Sequence, residues 1–174
     1  LNCLGGLDKP TEGEIRIGER LISSMNDRDL THWRAREVGF IFQSFGLIPT
    51  FSAFENVEFM LRLAHHSPRE RTDRALEVLD MVGIKQWRHH RPYEMSGGQQ
   101  QRVTIARALA NRPLLVLADE ATGELDSTTA RDILSLFRKI VDNEGVTLLM
   151  ASHDPLVDGY ADIIYQIRDG QIES

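Results

Sequence analysis

The sequence has a single cysteine, Cys3, and no apolar run long enough to cross a bilayer. One cysteine excludes a disulfide within the chain, and so low a content is typical of proteins that fold in a reducing compartment. A membrane-spanning helix needs about 20 consecutive apolar residues. A role at a membrane would therefore have to pass through a partner.

The sequence also has fewer basic than acidic residues. Lysine and arginine total 20 against 26 aspartates and glutamates, which gives a net charge of −6. This balance disfavours binding of nucleic acid through bulk electrostatics. With 174 residues, 41% of them hydrophobic, the chain can bury a core as one domain, with or without a subdomain.

What the sequence does contain is a Ser-Gly-Gly-Gln run at the start of a predicted helix. Ser96 is a good N-cap residue, and Gly97 and Gly98 let backbone N–H groups approach an anion without a Cβ in the way. The helix N-terminus adds partial positive charge. A capped helix alone does not explain the two glycines, since each costs helix stability on the order of 1 kcal/mol. We therefore interpret Ser96, Gly97, Gly98 and Gln99 as a phosphate seat.

Two adjacent acids follow an apolar strand predicted at residues 114–118. Ligands of open α/β sheets lie at the carboxyl ends of strands. Asp119 would hold Mg²⁺, which prefers oxygen ligands and keeps much of its hydration. Glu120 would accept a proton from an attacking water, or orient it.

Polar side chains end two further apolar strands, with Gln43 after residues 38–42 and His153 after residues 146–151. His153 would hydrogen-bond a γ-phosphate and help to position Glu120 and the water. Gln43 would meet Mg²⁺ or the same water. One polar residue at a strand end carries little meaning, but the repeated pattern favours a nucleoside triphosphate site.

Hydrophobic periodicity and turn residues predict strands that alternate with helices. The predicted strands are 14–17, 20–22, 38–42, 114–118, 146–151 and 163–167, the last paired with 171–172; the predicted helices are 26–36, 55–64, 67–82, 96–110, 127–143 and a short one after Pro155. This order predicts an α/β fold with a mainly parallel sheet. A small antiparallel β element lies near the N-terminus. We assign residues 1–43 and 112–174 to a catalytic core and 44–111 to an inserted α-helical subdomain.

The pairs His65-His66 and His89-His90 do not predict a metal site, because neighbours on a helix do not share a face and no further ligands complete a set. The loop that follows Gln43 contains five large apolar residues: Phe45, Leu47, Ile48, Phe51 and Phe54. That is more than the core of a small subdomain needs. Part of the loop is therefore a candidate docking groove for a partner.

Taken in order, these residues resemble the motifs of ATP-binding cassette (ABC) ATPases over almost the whole chain. The matching positions are Gln43 for the Q-loop, residues 96–99 for the signature (with Met95 where Leu is usual), residues 114–119 with Glu120 for Walker B and its catalytic acid, residues 123–126 for the D-loop, and His153 for the H-loop. The sequence of residues 40–57 and 99–102 is most similar to that of the subfamily that serves lipoprotein release and macrolide-type export.

The resemblance implies a RecA-like P-loop NTPase core and an ATPase that uses ATP and Mg²⁺. Two cassettes would pair head to tail, with each ATP held between the Walker A loop of one and the signature helix of the other. Glu120, His153 and Gln43 are then catalytic, and Asp119 and Gln43 lie at the metal. Asp126 joins residues 96–99 in binding nucleotide.

The same resemblance implies partners and a location. Nucleotide would close the dimer, hydrolysis would reopen it, and the motion would pass to transmembrane permease subunits through the groove near Gln43. The protein would then lie in the cytoplasm, on the inner face of the cell membrane, and power export or lipoprotein release. No nucleic acid partner is implied.

Three departures from the family pattern stand out. No Gly-x-x-x-x-Gly-Lys-[Ser/Thr] sequence, the Walker A motif, occurs in the chain. Leu1–Leu4 resemble the end of the helix that follows this motif, so we expect a domain that is incomplete at its N-terminus, binds ATP poorly alone and has little ATPase activity. Ala121 replaces a usual proline and could loosen the turn, and Glu124 adds negative charge near the dimer phosphates.

Two alternatives stay open. A soluble ABC protein of DNA repair or translation would carry long coiled-coil insertions or a second cassette, and the sequence contains neither. A catalytically dead remnant would keep the fold without turnover. Intact Glu120 and His153 argue against that reading, whereas the missing Walker A motif argues for it.

Overall fold

The computed structural model describes residues 1–173, in which it contains seven strands and five α-helices. In chain order they are β1 (Arg16–Ile17), β2 (Arg20–Leu21), α1 (Asp27–Glu37), β3 (Val38–Ile41), α2 (Ala53–Leu63), α3 (Pro68–Met81), α4 (Gly97–Leu109), β4 (Leu115–Asp119), α5 (Ser127–Glu144), β5 (Thr147–Ala151), β6 (Gln166–Arg168) and β7 (Gln171–Glu173). The predicted helices are present with shifts of up to two residues at their ends, and each predicted strand is present in whole or in part. The predicted α/β fold is confirmed.

The central sheet has three parallel strands in the order β3-β4-β5. Ile41 of β3, Ala118 of β4 and Met150 of β5 lie in register, so the three strands end at the same edge. The middle strand is buried from Leu115 to Ala118, as its continuous apolar run predicts. The residues that follow the strands are thereby brought to one side of the molecule.

The three helices between β3 and β4 have capped N-termini, and the C-termini of α3 and α4 are capped as well. Ser52, Ser67 and Ser96 each cap the next helix in a reciprocal capping box. Arg74 of α3 is buried and donates to the carbonyls of Leu109 and Ala110 at the end of α4, at 2.9 and 3.0 Å. Cationic side chains satisfy the last carbonyls of a helix and its partial negative charge.

The return contact is made by Arg102 of α4, whose Nη1 donates to the Val82 carbonyl at the end of α3 over 2.7 Å. α3 and α4 therefore cap one another. α4 also lies close to the sheet, because a Cβ built on Gly39 of β3 would lie 2.5 Å from the Ala108 carbonyl oxygen. Only glycine permits this approach.

Residues 1–7 form a helix C-terminal turn that is closed by a left-handed glycine. The Leu7 amide donates to the Asn2 carbonyl and the Gly6 amide to the Cys3 carbonyl, with φ of Gly6 at +61°. This is the hydrogen-bond pattern of a Schellman motif. Leu1–Leu4, which the sequence likens to the end of a helix, are thus followed by a glycine that stops this turn.

Two antiparallel hairpins accompany the parallel sheet, β1-β2 and β6-β7. The strand predicted at 163–167 is wrong for residues 163–165. Strand β6 begins at Gln166 because its ladder with β7 has only three residue pairs. Ile163, Ile164 and Tyr165 are more than half exposed. Within residues 1–173, no helix is both long and apolar enough to cross a membrane.

Candidate functional site at the carboxyl edge of the sheet

Glu120 and His153 meet at the carboxyl edge of the sheet. Glu120 follows β4 directly, and its amide donates to the carbonyl of Ala151, the last residue of β5, over 3.0 Å. His153 Nδ1 lies 2.8 Å from Glu120 Oε1. This hydrogen bond, together with the negative charge of Glu120, raises the pKa of His153 above its usual value of 6.5. The two strand-end side chains form one unit, as the sequence predicts.

Glu120 itself has an unusual backbone conformation, with φ at +48°. A residue with a Cβ adopts this left-handed region at a cost in free energy. Such strain is found most often at functional sites, where the surrounding structure holds it in place. Here the Ala151 carbonyl and the amide of Gly123, which donates to the Glu120 carbonyl at 3.0 Å, hold the strained residue.

Gln43 lies beside the same turn. A Cβ built on Gly123 would be 3.5 Å from Gln43 Nε2 and 3.6 Å from Glu120 Cβ, so Gly123 separates the two side chains. Gln43, Glu120 and His153 are therefore brought together on one surface. Asp119 ends β4 with its side chain exposed to solvent.

The donor set at this edge fits Mg²⁺. The Asp119 carboxylate and the Gln43 amide carbonyl are the oxygen ligands that this ion prefers. The described residues contain no cluster of three or more His, Cys, Asp or Glu groups arranged for a metal. Mg²⁺ is usually bound by one or two protein groups together with phosphates and waters, so a sparse set suits it.

The phosphate seat predicted at residues 96–99 is a capped helix N-terminus. Ser96 Oγ accepts from the Gln99 amide at 3.3 Å, and Gln99 Oε1 accepts from the Ser96 amide at 2.9 Å. The Gln99 side chain is thus used in the cap. The Gln100 amide donates to the Ser96 carbonyl. Gly97 and Gly98 then supply the first two amide groups of the helix, which have no partner within it.

The two glycines also have a packing role that sequence reasoning missed. A Cβ built on Gly98 would lie 2.6 Å from Thr129 Cγ2, and one on Gly97 would lie 3.4 Å from Leu125 Cδ2. The N-terminus of α4 is therefore pressed against the N-terminus of α5. The absence of a Cβ at Gly98 serves this close approach.

Asp126 caps α5. Its Oδ1 accepts from the amides of Thr128 and Thr129, both at 3.0 Å, and its Oδ2 from the Thr129 hydroxyl at 2.6 Å. The Thr129 hydroxyl and these amides lower the pKa of Asp126. The carboxylate expected to bind nucleotide is thus engaged with its own helix. Ala121 is buried in the preceding turn, and Glu124 is exposed.

Two residues of α4 that were not predicted as site residues donate hydrogen bonds to the backbone of the segments that carry Glu120 and Gln43. Gln101 is fully buried, and its Nε2 donates to the Ala121 carbonyl over 2.7 Å. Arg107 donates to the carbonyls of Phe45 and Gly46, both of which have positive φ. Burial lowers the pKa of Arg107. The signal for Gln101 was a polar residue on the apolar stripe of its helix, four positions before Ile105.

The apolar loop after Gln43 is half-buried. Asn56 of α2 is buried and holds it, because its Oδ1 accepts from the Ile48 amide at 2.8 Å and its Nδ2 donates to the Ser52 carbonyl at 3.0 Å. Phe45, Leu47, Ile48 and Phe51 of the loop are partly exposed, and so is Phe54, which was predicted in the loop but lies in α2. The Phe54 amide donates to the Arg88 carbonyl, so residues 85–94 border this surface. Part of the loop is core and part is open.

Comparison with known proteins identifies the relatives of this arrangement. Residues 1–123 match the family described as ABC transporter. The chain is 48% identical over 173 residues to an uncharacterized ABC transporter ATP-binding protein of Thermotoga maritima, covering 99% of the chain and 74% of that relative. It is 40% identical over 174 residues to the macrolide export ATP-binding/permease protein MacB of Rhodopirellula baltica, covering 99% of the chain and 25% of that protein.

A solved structure extends the similarity to three dimensions. It is the dimeric ATP-binding cassette MJ0796 in a post-hydrolysis state, bound to ADP and Pi. The TM-score is 0.87 with 43% sequence identity, over 99% of this chain and 76% of that one. The relative called MJ0796 comes from Methanocaldococcus jannaschii. A dimeric cassette therefore has the same fold as this chain.

Proposed function

Because this chain belongs to the ABC transporter family and is an ATP-binding subunit of the ATPase type, we propose that it works in a head-to-tail pair and powers export or lipoprotein release through membrane permease subunits. The observation that carries the proposal is the convergence of Gln43, Glu120 and His153 at one edge of the sheet. Each of these side chains follows a different parallel strand.

The geometry suggests a role for each side chain. Glu120 orients the attacking water and accepts its proton, and His153 holds Glu120 through Nδ1 and offers its other nitrogen to the γ-phosphate. Asp119 and Gln43 would hold Mg²⁺, which supplies positive charge near the phosphates. A positioned general base contributes about 10²–10⁴-fold to a rate.

The signature residues would act on the partner's nucleotide. The amides of Gly97 and Gly98 and the hydroxyl of Ser96 lie at the positive end of α4, which suits a phosphate. Walker A has no match in these 174 residues. The Walker A loop that faces Ser96 would belong to a second subunit, as the dimeric form of the structural relative suggests. Asp126 would contribute to nucleotide binding indirectly, by capping the N-terminus of α5.

The half-buried loop that follows Gln43 is our candidate for the permease contact. The start of α2, which follows the loop, is hydrogen-bonded to residues 85–94 through the Phe54 amide and the Arg88 carbonyl, and Tyr93 in that segment is 72% exposed. A partly exposed apolar surface beside Gln43 suits a helix of a membrane subunit. This docking would place the protein at the cytoplasmic face of a membrane. The division into a core (1–43, 112–174) and a helical subdomain (44–111) is part of the same proposal.

The experiment is affinity purification of the protein, expressed from its own gene with a C-terminal tag, from membranes in mild detergent. We expect integral membrane subunits to co-purify, together with ATPase activity. The Glu120→Gln variant should bring down the same membrane subunits with at least 100-fold less ATPase activity. Recovery of ribosomes or DNA in their place would favour the soluble ABC class, and wild-type protein without ATPase activity would favour the inactive remnant.

A further inference from the structure

Gln101 is a fully buried amide in the second turn of α4. Its Nε2 donates to the carbonyl of Ala121 over 2.7 Å. Ala121 is the residue after Glu120, and its carbonyl lies inside the turn that the Gly123 amide closes on Glu120. The contact joins residues 20 positions apart. It thus links the signature helix to the turn that carries the strained glutamate.

The Gln101 amide is fixed on both sides. Its Oε1 lies 3.0 Å from the hydroxyl of Thr104, which is also fully buried and shares its single hydrogen between this oxygen and the Gln101 main-chain carbonyl at 2.8 Å. A buried amide with both ends satisfied has one orientation available, because any rotation leaves a polar atom unpaired at a cost of about 1–3 kcal/mol. The Ala121 carbonyl is therefore held at a defined position relative to the axis of α4.

The same helix begins at the phosphate seat. Ser96 caps α4, and Gln101 lies four residues after Gly97, little more than one helical turn along the axis. A rigid α-helix moves as one body, so a displacement at the N-terminus reaches Ala121 through Gln101. Glu120 follows, since its backbone is held in the left-handed region by this turn.

We propose that Gln101 is a positioning residue, which sets the Glu120 carboxylate and couples it to the state of the Ser96 seat at the start of the same helix. The proposal rests on Glu120 being the catalytic carboxylate of the proposed function. Gln101 itself does not contact the substrate in this proposal. Its effect passes through the Ala121 carbonyl.

The test compares two glutamine-to-methionine substitutions on adjacent positions of α4. Gln101→Met keeps the length of the side chain and removes the donor to Ala121. Gln100→Met is the matched control, because Gln100 Nε2 donates only to the Met95 carbonyl, at 3.1 Å. The first measurement is the NMR titration of His153, whose hydrogen bond to Glu120 reports the position of the carboxylate without any nucleotide.

We expect Gln101→Met to move the pKa of His153 back towards 6.5, the value without the Glu120 contact, and Gln100→Met to leave it unchanged. In the ATPase assay, Gln101→Met should lower kcat by about tenfold or more with little change in KM, since misplacing a catalytic group by about 1 Å can cost 10²-fold. A purely structural role would lower stability and leave the His153 pKa and the kcat of the folded protein unchanged.

A second variant keeps the test decisive if Gln101→Met does not fold. Gln101→Asn retains the amide but is one methylene too short to reach Ala121. We expect it to lower the pKa of His153 and kcat in the same way as Gln101→Met. Wild-type values of the His153 pKa and of kcat in a folded Gln101 variant would overturn the proposal. Absence of ATPase activity from the wild-type protein expressed from its own gene would instead count against the proposed function, and the His153 titration would still test Gln101.

Discussion

His153 Nδ1 lies 2.8 Å from Glu120 Oε1, and this one hydrogen bond ties together the ends of β4 and β5. The two side chains come from residues 33 positions apart. Parallel pairing of Asp119 with Ala151 brings them to the same edge. The contact fixes the orientation of the imidazole and places its free nitrogen away from Glu120.

The pH dependence of His153 tests this pair. The Glu120 hydrogen bond raises its pKa above 6.5, so the pair stabilises the fold at pH values below 6.5 and loses this effect as pH rises through the raised pKa. Glu120→Gln should lower the pKa of His153, measured by NMR, and should reduce stability only in acid. Asp154→Asn is the control, because Asp154 is the weakest of the groups that raise this pKa.

Destabilisation by Glu120→Gln that is as large above the His153 pKa as below it would contradict the pairing. So would a His153 titration that is the same in both proteins.

The left-handed backbone of Glu120 leads to a second prediction, on stability. Glu120→Ala and Glu120→Gly both remove the carboxylate and its bond to His153, and only glycine also relieves the φ of +48°. We expect Glu120→Gly to be more stable than Glu120→Ala by about 1 kcal/mol in urea unfolding. Both should lack ATPase activity. Equal stabilities would mean that the turn is not strained.

The packing of Gly98 is tested with a double-mutant cycle. Gly98→Ala would place a methyl group against Thr129 Cγ2, and overpacking of this kind costs about 1–3 kcal/mol, partly offset by the helix propensity of alanine. Thr129→Ser removes Cγ2 and keeps the hydroxyl that Asp126 accepts from.

Gly98→Ala should therefore destabilise the wild type more than it destabilises Thr129→Ser. A coupling energy of zero in the cycle would show that the glycine is needed for the phosphate seat alone.

Much of this architecture follows from local patterns in the sequence. The apolar run before Asp119 and the polar residues after β3 and β5 predict strand ends that share one edge, because parallel strands align their carboxyl ends. Serine caps and left-handed glycines such as Gly83 mark the helix boundaries within one or two residues.

Two kinds of contact could not be predicted from these patterns. The first is the local capping by Gln99 and Asp126, which uses the side-chain groups that the family motif assigns to nucleotide binding. The second is contacts between residues far apart in the sequence. The closeness of Gly98 to Thr129 depends on how two helices dock, which no single segment encodes. The position of Gln101 on the apolar stripe of α4 predicts burial, but its partner, the Ala121 carbonyl, is known only once the helix is placed against the turn after β4.

The central claim is that Glu120 of one subunit and Ser96 of another act on the same ATP. Glu120→Gln and Ser96→Arg each damage both sites of a symmetric pair, and each variant alone should be inactive. In a mixed pair, one site contains both substitutions and the other contains neither.

The decisive measurement is the ATPase activity of the protein from its own gene after the two inactive variants are mixed and allowed to exchange subunits. Half of the pairs are then mixed and each has one intact site, so we predict recovery of about a quarter of the wild-type activity. No recovery on mixing, with subunit exchange verified, would contradict the account, because Glu120 and Ser96 would then have to serve one site within a single chain.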